Sequence, residues 1–591
     1  MKKRVIFFTL IISLIATLSF SLAAQSLPGD ANLDQKVTTT DARYVLQAAV
    51  KNRVLTGEAF TNADFDNDGN ISTTDARKTL ETALTCSYIE IKSMPDKTTY
   101  YVGDLFIPTG ATITYTNSGV QQEVLVSASL ISGFDSSTPG LKTVTVTYQG
   151  CTAKFNINVV EKTTVFKLNG IFNHNMVLQR QSTVPVYGLA SDGITVTVDF
   201  NGQVKSCISS GGKWRIDLDS MEANSVGAQL TVTTSSGEKA QYNNILVGDV
   251  WLCSGQSNMY WRVQDIPNST EKLKIQRAAS NTNIRSFWAN QVSATTPQND
   301  IERQLWKISS SSGVLDQSAY AISFAQGLQE TLGIPIGIAT LCQGSTSITS
   351  WIEGGNYYNA MIASVMPFKF KGVLWWQGET DCLKDANFET NYPKYFTSMV
   401  NSWRSGFENP VMPFLQTQIA NYAVDNDTTS FGSWVQMQHL QPRMIDENNK
   451  IYTVCNFDNF DSLSNIHPNE KKAAGTRAAN LALEKVYGLD VYGAAPRFLK
   501  AEKTANGVLV TFTDVHDGLT ANTSLGTKFS ACGSNGVFVN VSYSIVSANQ
   551  ILLNTNSITN VKTIRYISNS ATAPVIFGGG VPLFGFSYSF Y

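Results

Sequence analysis

At 591 residues the chain is far longer than a single hydrophobic core supports, so several domains are expected. Charged residues make up only 15% of it and the formal net charge is -2, which excludes the basic footprint of a nucleic-acid-binding protein and points to a substrate that is neutral or is not recruited by charge. Eight cysteines lie scattered without close spacing, so neither a zinc cluster nor a small disulfide scaffold is indicated, and no pairing follows from sequence alone.

In chain order, Lys2, Lys3 and Arg4 precede the apolar stretch Val5 to Leu22 and the small pair Ala23-Ala24. Residues 1–24 therefore read as a secretory signal peptide, with the mature protein expected outside the cell and no membrane segment left in it; the alternative is an uncleaved membrane anchor, since the apolar stretch is long enough to span a bilayer. Next come two copies of one pattern, each followed by a helical run. The first places Asp30, Asn32, Asp34, Lys36, Thr38 and Asp41 at loop positions 1, 3, 5, 7, 9 and 12, and the second places Asp64, Asp66, Asp68, Asn70, Ser72 and Asp75 at the same positions. A hard cation takes six or seven oxygens from such a twelve-residue loop, with a backbone carbonyl serving at position 7. Two structural calcium ions are expected.

These repeats resemble a type I dockerin over residues 28–84. The resemblance implies a small all-α module that docks onto the cohesin module of a scaffold protein, with Thr39, Thr40, Thr73 and Thr74 at the contact. Residues 87–161 alternate apolar and polar side chains in short runs, as in Lys142 to Tyr148, and predict an immunoglobulin-like β-sandwich. A second β-sandwich is predicted over 165–244.

From Ile245 the pattern changes. Apolar strands at 334–340, 371–376, 411–418 and 451–455 alternate with helical stretches at 319–332, 392–405 and 469–486, which predicts a parallel sheet covered on both faces over 245–488. A C-terminal β domain is expected over 489–591.

The chemistry gathers in the 245–488 segment. Serine is a weak nucleophile at its own pKa and needs a base within reach and donors for the developing oxyanion. Ser257 lies in Gly255-Gln256-Ser257-Asn258-Met259, directly after an apolar run, and His467 lies in Ile466-His467-Pro468 ahead of the last helix. Between them stand Gln343-Gly344-Ser345-Thr346, with Trp351 behind it, and Trp375-Trp376-Gln377-Gly378-Glu379. Ser254 is the rival nucleophile but sits nearer the strand. His174, His439 and His516 are expected to be structural or exposed, and Glu379 is expected to be a hydrogen-bonded structural residue. Trp261 and Trp351 are candidate platforms for sugar rings, whereas Trp375 and Trp376, inside an apolar strand, are expected in the core.

Taken in order, these blocks resemble the SGNH hydrolases, and among them the sialate O-acetylesterase-like carbohydrate esterases, over about residues 165–591. The implied fold is a three-layer α/β domain with a flavodoxin-like parallel sheet, flanked by all-β sandwich domains. The implied roles are Ser257 as nucleophile, His467 as general base and then acid, and an oxyanion hole of the Ser257 and Gly344 amides with the Gln377 side chain. Where that group tends to carry Gly-Gly-Thr, this chain has Gly344-Ser345-Thr346. Many SGNH enzymes carry an aspartate three residues before the histidine, but Ser464 stands there. Asp461 is the candidate third member, with Asp458 and the Asn465 main-chain carbonyl as alternatives, since the need is to orient the correct imidazole tautomer.

The expected function is that of a secreted, cellulosome-associated carbohydrate O-acetylesterase working by a serine acyl-enzyme route, with no catalytic cofactor. The dockerin resemblance favours acetylated xylan or a related hemicellulose. The alternatives are acetylated sialic acid as substrate, a non-catalytic carbohydrate-binding module, and a mainly adhesive chain.

Overall fold

The computed structural model describes residues 27–85, 87–160, 165–302, 304–423, 431–569 and 573–590. The expected signal peptide at 1–24 lies outside them. The described chain forms two compact units that part near residue 163.

In the first unit, helices α1 (Thr39–Ala49), α2 (Glu58–Ala63) and α3 (Thr73–Thr85) follow the two acidic loops. Thr38 caps α1 in a capping box with Asp41, so the loop's last carboxylate also starts the helix. The core between these helices is small, centred on Ala31, Val45, Ala63 and Ala76. So little buried apolar surface leaves such a module dependent on a further source of stability. After it, antiparallel strands Ser87–Ser93, Thr112–Asn117 and Val120–Leu125 form one sheet, and Thr99–Tyr101, Cys151–Val160, Gly140–Tyr148 and Ile131–Ser132 form another. Their alternate residues, among them Ile89, Ile113, Val144, Val146 and Ile157, are buried in a shared core, which is the sandwich that the period-two pattern predicts.

The second unit is organised around one long strand, β1 (Lys239–Gly255), of 17 residues. Its first half pairs antiparallel with Asn224–Thr234, and its second half is the centre of a parallel sheet. That sheet contains β2 (Asn281–Trp288), β3 (Ile336–Cys342), β4 (Gly372–Trp376), β5 (Phe414–Thr417) and β6 (Ile451–Val454), in the spatial order β2-β3-β1-β4-β5-β6. The expected domain break at 244/245 therefore falls inside a continuous strand. The change of pattern there marks the point where β1 passes from a half-exposed sheet into one covered on both faces.

Successive residues of β1 feed opposite cores: Val250 and Leu252 pack on one side, Trp251 and Cys253 on the other. Around the sheet lie α4 (Ser257–Tyr260), α5 (Ser269–Arg277), α6 (Ala319–Leu332), α7 (Glu379–Lys384), α8 (Phe388–Gly406), α9 (Ser433–Arg443) and α10 (Lys471–Lys485). Helices α6 and α10 approach so closely that a Cβ on Gly475 would sit 2.4 Å from Ser323 Cβ. That contact fixes the start of α10, and with it the loop that carries His467. Apart from Lys307–Ser309, which pairs antiparallel with β2, the remaining strands of this unit lie before β1 or from Arg497 onward.

Candidate active site

Ser257 opens α4 at the carboxyl end of β1, the central strand. The turn is pinned from both sides: the Gln256 amide donates to Trp376 O at 2.9 Å, and the Gln343 amide donates to Gly255 O at 3.1 Å. Gly255 adopts φ 135°, and a Cβ there would lie 2.1 Å from Trp376 O, so only glycine lets the chain turn this close to β4. Ser257 is half-buried, and its hydroxyl makes no hydrogen bond among the described residues. Ser254 is completely buried and donates to Leu341 O at 2.5 Å. It has neither access nor a free hydroxyl.

The His467 loop meets this turn. The Trp261 indole stacks on the imidazole with ring centroids 4.3 Å apart and planes 16° from parallel. Asn258 Nδ2 donates to Ile466 O at 3.1 Å, one residue before the histidine, and to Glu379 Oε1 at 2.8 Å. Two residues that follow Ser257, Asn258 and Trp261, thus hold the loop of the candidate base. The Gly344 loop closes the third side, with the Cβ position of Gly344 lying 3.6 Å from Ser257 Cβ. Ser345 follows it at φ 59°, in the left-handed region.

Asp461 and the imidazole are not bonded to each other. The Asp461 carboxylate accepts from the Asn469 amide at 3.2 Å, from Asn465 Nδ2 at 3.3 Å and from the Asn469 side chain. Asn465 in turn clamps the His467 backbone, its Oδ1 accepting from His467 N at 3.0 Å and its Nδ2 donating to His467 O at 2.8 Å. Asp458 is paired with Arg477 at 2.6 and 3.0 Å. Gln377 is completely buried, and its Nε2 is already donating to Thr346 O at 3.1 Å, Gln256 Oε1 at 3.2 Å and Asp381. In this state its amide braces the Gly344 loop.

Beneath Ser257 lies a feature that sequence reasoning missed. Lys471 is completely buried; its Nζ donates to Asn258 Oδ1 at 2.5 Å and sits 4.3 Å over the Trp376 ring. Burial lowers the lysine pKa to about 7, although Glu379 opposes the fall. Burial likewise raises Glu379 above the usual carboxylate range, against the Asn258 hydrogen bond and the Lys471 charge. Burial, helped by the Lys471 charge, lowers His467 to about 4. The imidazole is therefore neutral at pH 7, in the form that accepts a proton.

The other candidates fall elsewhere. His439 is buried with Nε2 against Ile567 O at 2.8 Å, His174 Nδ1 accepts from the Asn243 amide at 3.0 Å, and His516 Nε2 lies 2.7 Å from Ala494 O. Trp351, Trp375 and Trp376 are completely buried. Trp351, expected as a sugar platform, instead braces the Gly344 loop by donating from Nε1 to Thr346 Oγ1 at 3.0 Å.

In the second acidic loop, Asp64, Asp66 and Asp68 each present a carboxylate oxygen, and these oxygens lie within 4.8 Å of one another. That convergence of hard donors suits calcium. In the first loop the Asp30 pKa is raised, by burial first and then by the neighbouring Asp41 and Asp34 charges, against hydrogen bonds from the Gln35 and Asp34 amides. A cation would relieve that repulsion. Thr39, Thr73 and Thr74 are exposed and Thr40 is half-buried.

Family comparison matches residues 247–480 to carbohydrate esterase, sialic acid-specific acetylesterase; residues 93–159 to the bacterial Ig-like domain (group 3); and residues 28–78 to the dockerin type I domain. Sialate O-acetylesterase of Pongo abelii is 28% identical over 293 residues, which are 41% of this chain and 53% of that protein; the Homo sapiens protein is 29% identical over the same shares. The chain thus spans about half the length of these curated relatives. A carbohydrate acetylesterase from Xanthomonas citri superposes with TM-score 0.66 at 25% identity, covering 72% of this chain and 100% of that one. Residues 247–480 thus match a carbohydrate esterase, sialic acid-specific acetylesterase domain, and residues 28–78 match a dockerin type I domain.

Proposed function

We propose that the chain is a secreted, cellulosome-type carbohydrate O-acetylesterase of SGNH type that removes acetyl groups from plant cell-wall polysaccharide, acetylated xylan or a related hemicellulose. The observation that carries this reading is the junction of the Ser257 turn and the His467 loop through the Trp261 stack and the Asn258 bridge. The matched family and the acetylesterase relatives support the reaction class. The dockerin supports attachment to a cohesin-bearing scaffold, and hence a polymeric substrate.

The neutral imidazole of His467 takes the proton of Ser257 Oγ as that oxygen attacks the acetyl carbonyl. The tetrahedral oxyanion is held by the Ser257 and Gly344 amides, and Gln377 joins them if its amide turns from Asp381. Collapse breaks the bond to the sugar oxygen, which leaves as the alcohol with the proton from His467. Water, deprotonated by the same imidazole, then attacks the acetyl-serine; acetate leaves and Ser257 regains its proton.

Asp461 serves as a positioning residue, because it holds Asn465, and Asn465 holds the His467 backbone. The imidazole itself is oriented by the Trp261 stack. Calcium, one ion in each acidic loop, supplies the stability that the small dockerin core lacks. Loop 1 would use Asp30, Asn32, Asp34, the Lys36 carbonyl, Thr38 and Asp41; loop 2 would use Asp64, Asp66, Asp68, the Asn70 carbonyl, Ser72 and Asp75.

Acetate release from acetylated xylan, acetylated mannan and O-acetyl sialic acid tests the reading. Xylan or mannan should lead, and Ser257→Ala should lose ~10³-fold or more. A wild type inert on these and on 4-nitrophenyl acetate, yet still bound to polysaccharide, would establish a binding module instead.

A further inference from the structure

Directly beside the Ser257 helix lies a cleft of about 300 Å³ whose walls include Tyr260, Arg262, Trp288, Asn290, Asp316 and Gln317. Tyr260 and Trp288 pack edge to face at 5.3 Å, and both are half-buried, so each keeps ring surface open to the cleft. Tyr260 belongs to the same four-residue helix as Ser257. Trp288 ends β2, at the edge of the sheet where Ser257 and the Gly344 loop emerge.

Each cation that lines the cleft is ion-paired. Arg262 is held by Asp265 at 2.8 and 3.0 Å, and Lys307, which also lines the cleft, is paired with Asp316. A net positive wall would suit the carboxylate of a sialic acid; this one does not. Gln317 supplies a separate sign of a missing ligand. It is 2% exposed, its Nε2 donates to Asp316 Oδ1 at 2.8 Å, and its Oε1 has no partner among the described residues. A buried acceptor left unpaired costs ~1–3 kcal/mol, and a sugar hydroxyl entering the cleft would satisfy it. Asn290 also lines a second cleft of about 280 Å³, so the two meet at that residue and offer more length than a single sugar needs.

We propose that this paired cleft is the subsite for an uncharged polysaccharide chain, with Trp288 and Tyr260 stacking on a sugar ring and Gln317 and Asn290 bonding its hydroxyls. It rests on the proposed esterase activity and assigns the substrate class to the same site. Rings of this kind supply apolar area at low entropic cost, and a few fixed polar groups set orientation.

The test compares kcat/KM on acetylated xylan and on 4-nitrophenyl acetate for the full chain, Trp288→Ala and Trp288→Phe, and titrates xylohexaose by calorimetry. Trp288→Ala should lose at least tenfold more on xylan than on the aryl ester, through KM, and Trp288→Phe should recover most of that loss. Xylohexaose should bind the wild type and bind Trp288→Ala at least tenfold more weakly. Parallel losses on both substrates, or wild-type preference for 9-O-acetyl sialic acid over xylan, would overturn the assignment. If the wild type cleaves neither ester, the esterase reading fails, and the titration alone decides the cleft: xylohexaose binding lost in Trp288→Ala upholds it, and no binding overturns it.

Discussion

The Trp261 indole lies flat against the His467 imidazole, 4.3 Å between centroids, while the Trp261 amide donates to Ser257 O at 2.8 Å. One residue therefore touches both the backbone of the candidate nucleophile and the ring of the candidate base. An aromatic pair of this kind contributes ~0.5–1.5 kcal/mol beyond its buried area. Trp261→Ala should lower kcat/KM on 4-nitrophenyl acetate by ~3- to 10-fold, and Trp261→Phe should restore most of it. The acid limb of the pH profile should also move upward in Trp261→Ala, because water then reaches the imidazole. Unchanged kinetics in Trp261→Ala would remove the stack from the mechanism.

Burial of His467, helped by the Lys471 charge, sets the pH range. With His467 lowered to about 4, the proton-accepting form persists well below the ordinary histidine pKa of about 6.5. The acid limb of kcat/KM should therefore fall near pH 4. Below pH 7 Lys471 carries its charge and opposes a second charge on the imidazole. Lys471→Met should shift the limb to higher pH, measured as kcat/KM on 4-nitrophenyl acetate between pH 3 and pH 8. The stability effect has its own sign. A lysine depressed in the folded state leaves the unfolded chain binding more protons between pH 7 and about 10.5, so wild-type stability should rise relative to Lys471→Met across that window. Superimposable profiles would separate Lys471 from His467.

Much of this site was legible because its chemistry is local. The Ser257 turn, the Gly344 block and the Ile466-His467-Pro468 segment are short, and the order of apolar strands β3 to β6 could be read from composition. The strand β2 escaped notice because Asn281, Thr282, Asn283, Arg285 and Ser286 give it no apolar run, even though Arg285 and Ser286 are buried. Trp288 at its end shares that lack of signal, and Tyr260 has no sequence mark of its own beside Trp261. Lys471 was invisible for a different reason. A lysine opening a helix looks like a solvated cation, and only the close approach of α10 to α6 at Gly475 draws it under the Ser257 turn. Asp461 was expected to reach the imidazole because it precedes His467 by few residues, but the intervening loop turns its carboxylate onto Asn465 and Asn469.

The two calcium loops should differ in strength. Position 6 of each loop adopts positive φ, held by Gly69 at 84° in the second loop but by Gln35 at 65° in the first; position 4 repeats the contrast, with Asn67 at 54° and Leu33 at 63°. Glycine and asparagine tolerate this region, whereas other side chains lose ~1–2 kcal/mol there. The second loop also has the additional carboxylate, Asp66 where the first has Asn32. Calcium titration of the full chain should therefore resolve a tighter and a weaker event. Asp66→Ala should abolish the tighter one, and Gln35→Gly should strengthen the weaker one by ~5-fold or more. Loss of the weaker event in Asp66→Ala, with the tighter retained, would reverse the assignment.

Ser345 carries the same kind of strain next to the proposed oxyanion hole. At φ 59° it holds a conformation that costs a residue with a Cβ ~1–2 kcal/mol, and its side chain is exposed, so little packing offsets that cost. Ser345→Gly should raise the Tm of the esterase domain by ~1–3 °C. Ser345→Val should do the opposite, since a β-branched side chain is the least tolerant of positive φ. It should also lower kcat more than it raises KM, because the backbone relaxes by moving the adjacent Gly344 amide away from Ser257. Scanning calorimetry and steady-state kinetics on the two variants separate these effects. If Ser345→Val lost stability while kcat held, the strain would be real but the Gly344 amide would have no part in stabilising the oxyanion.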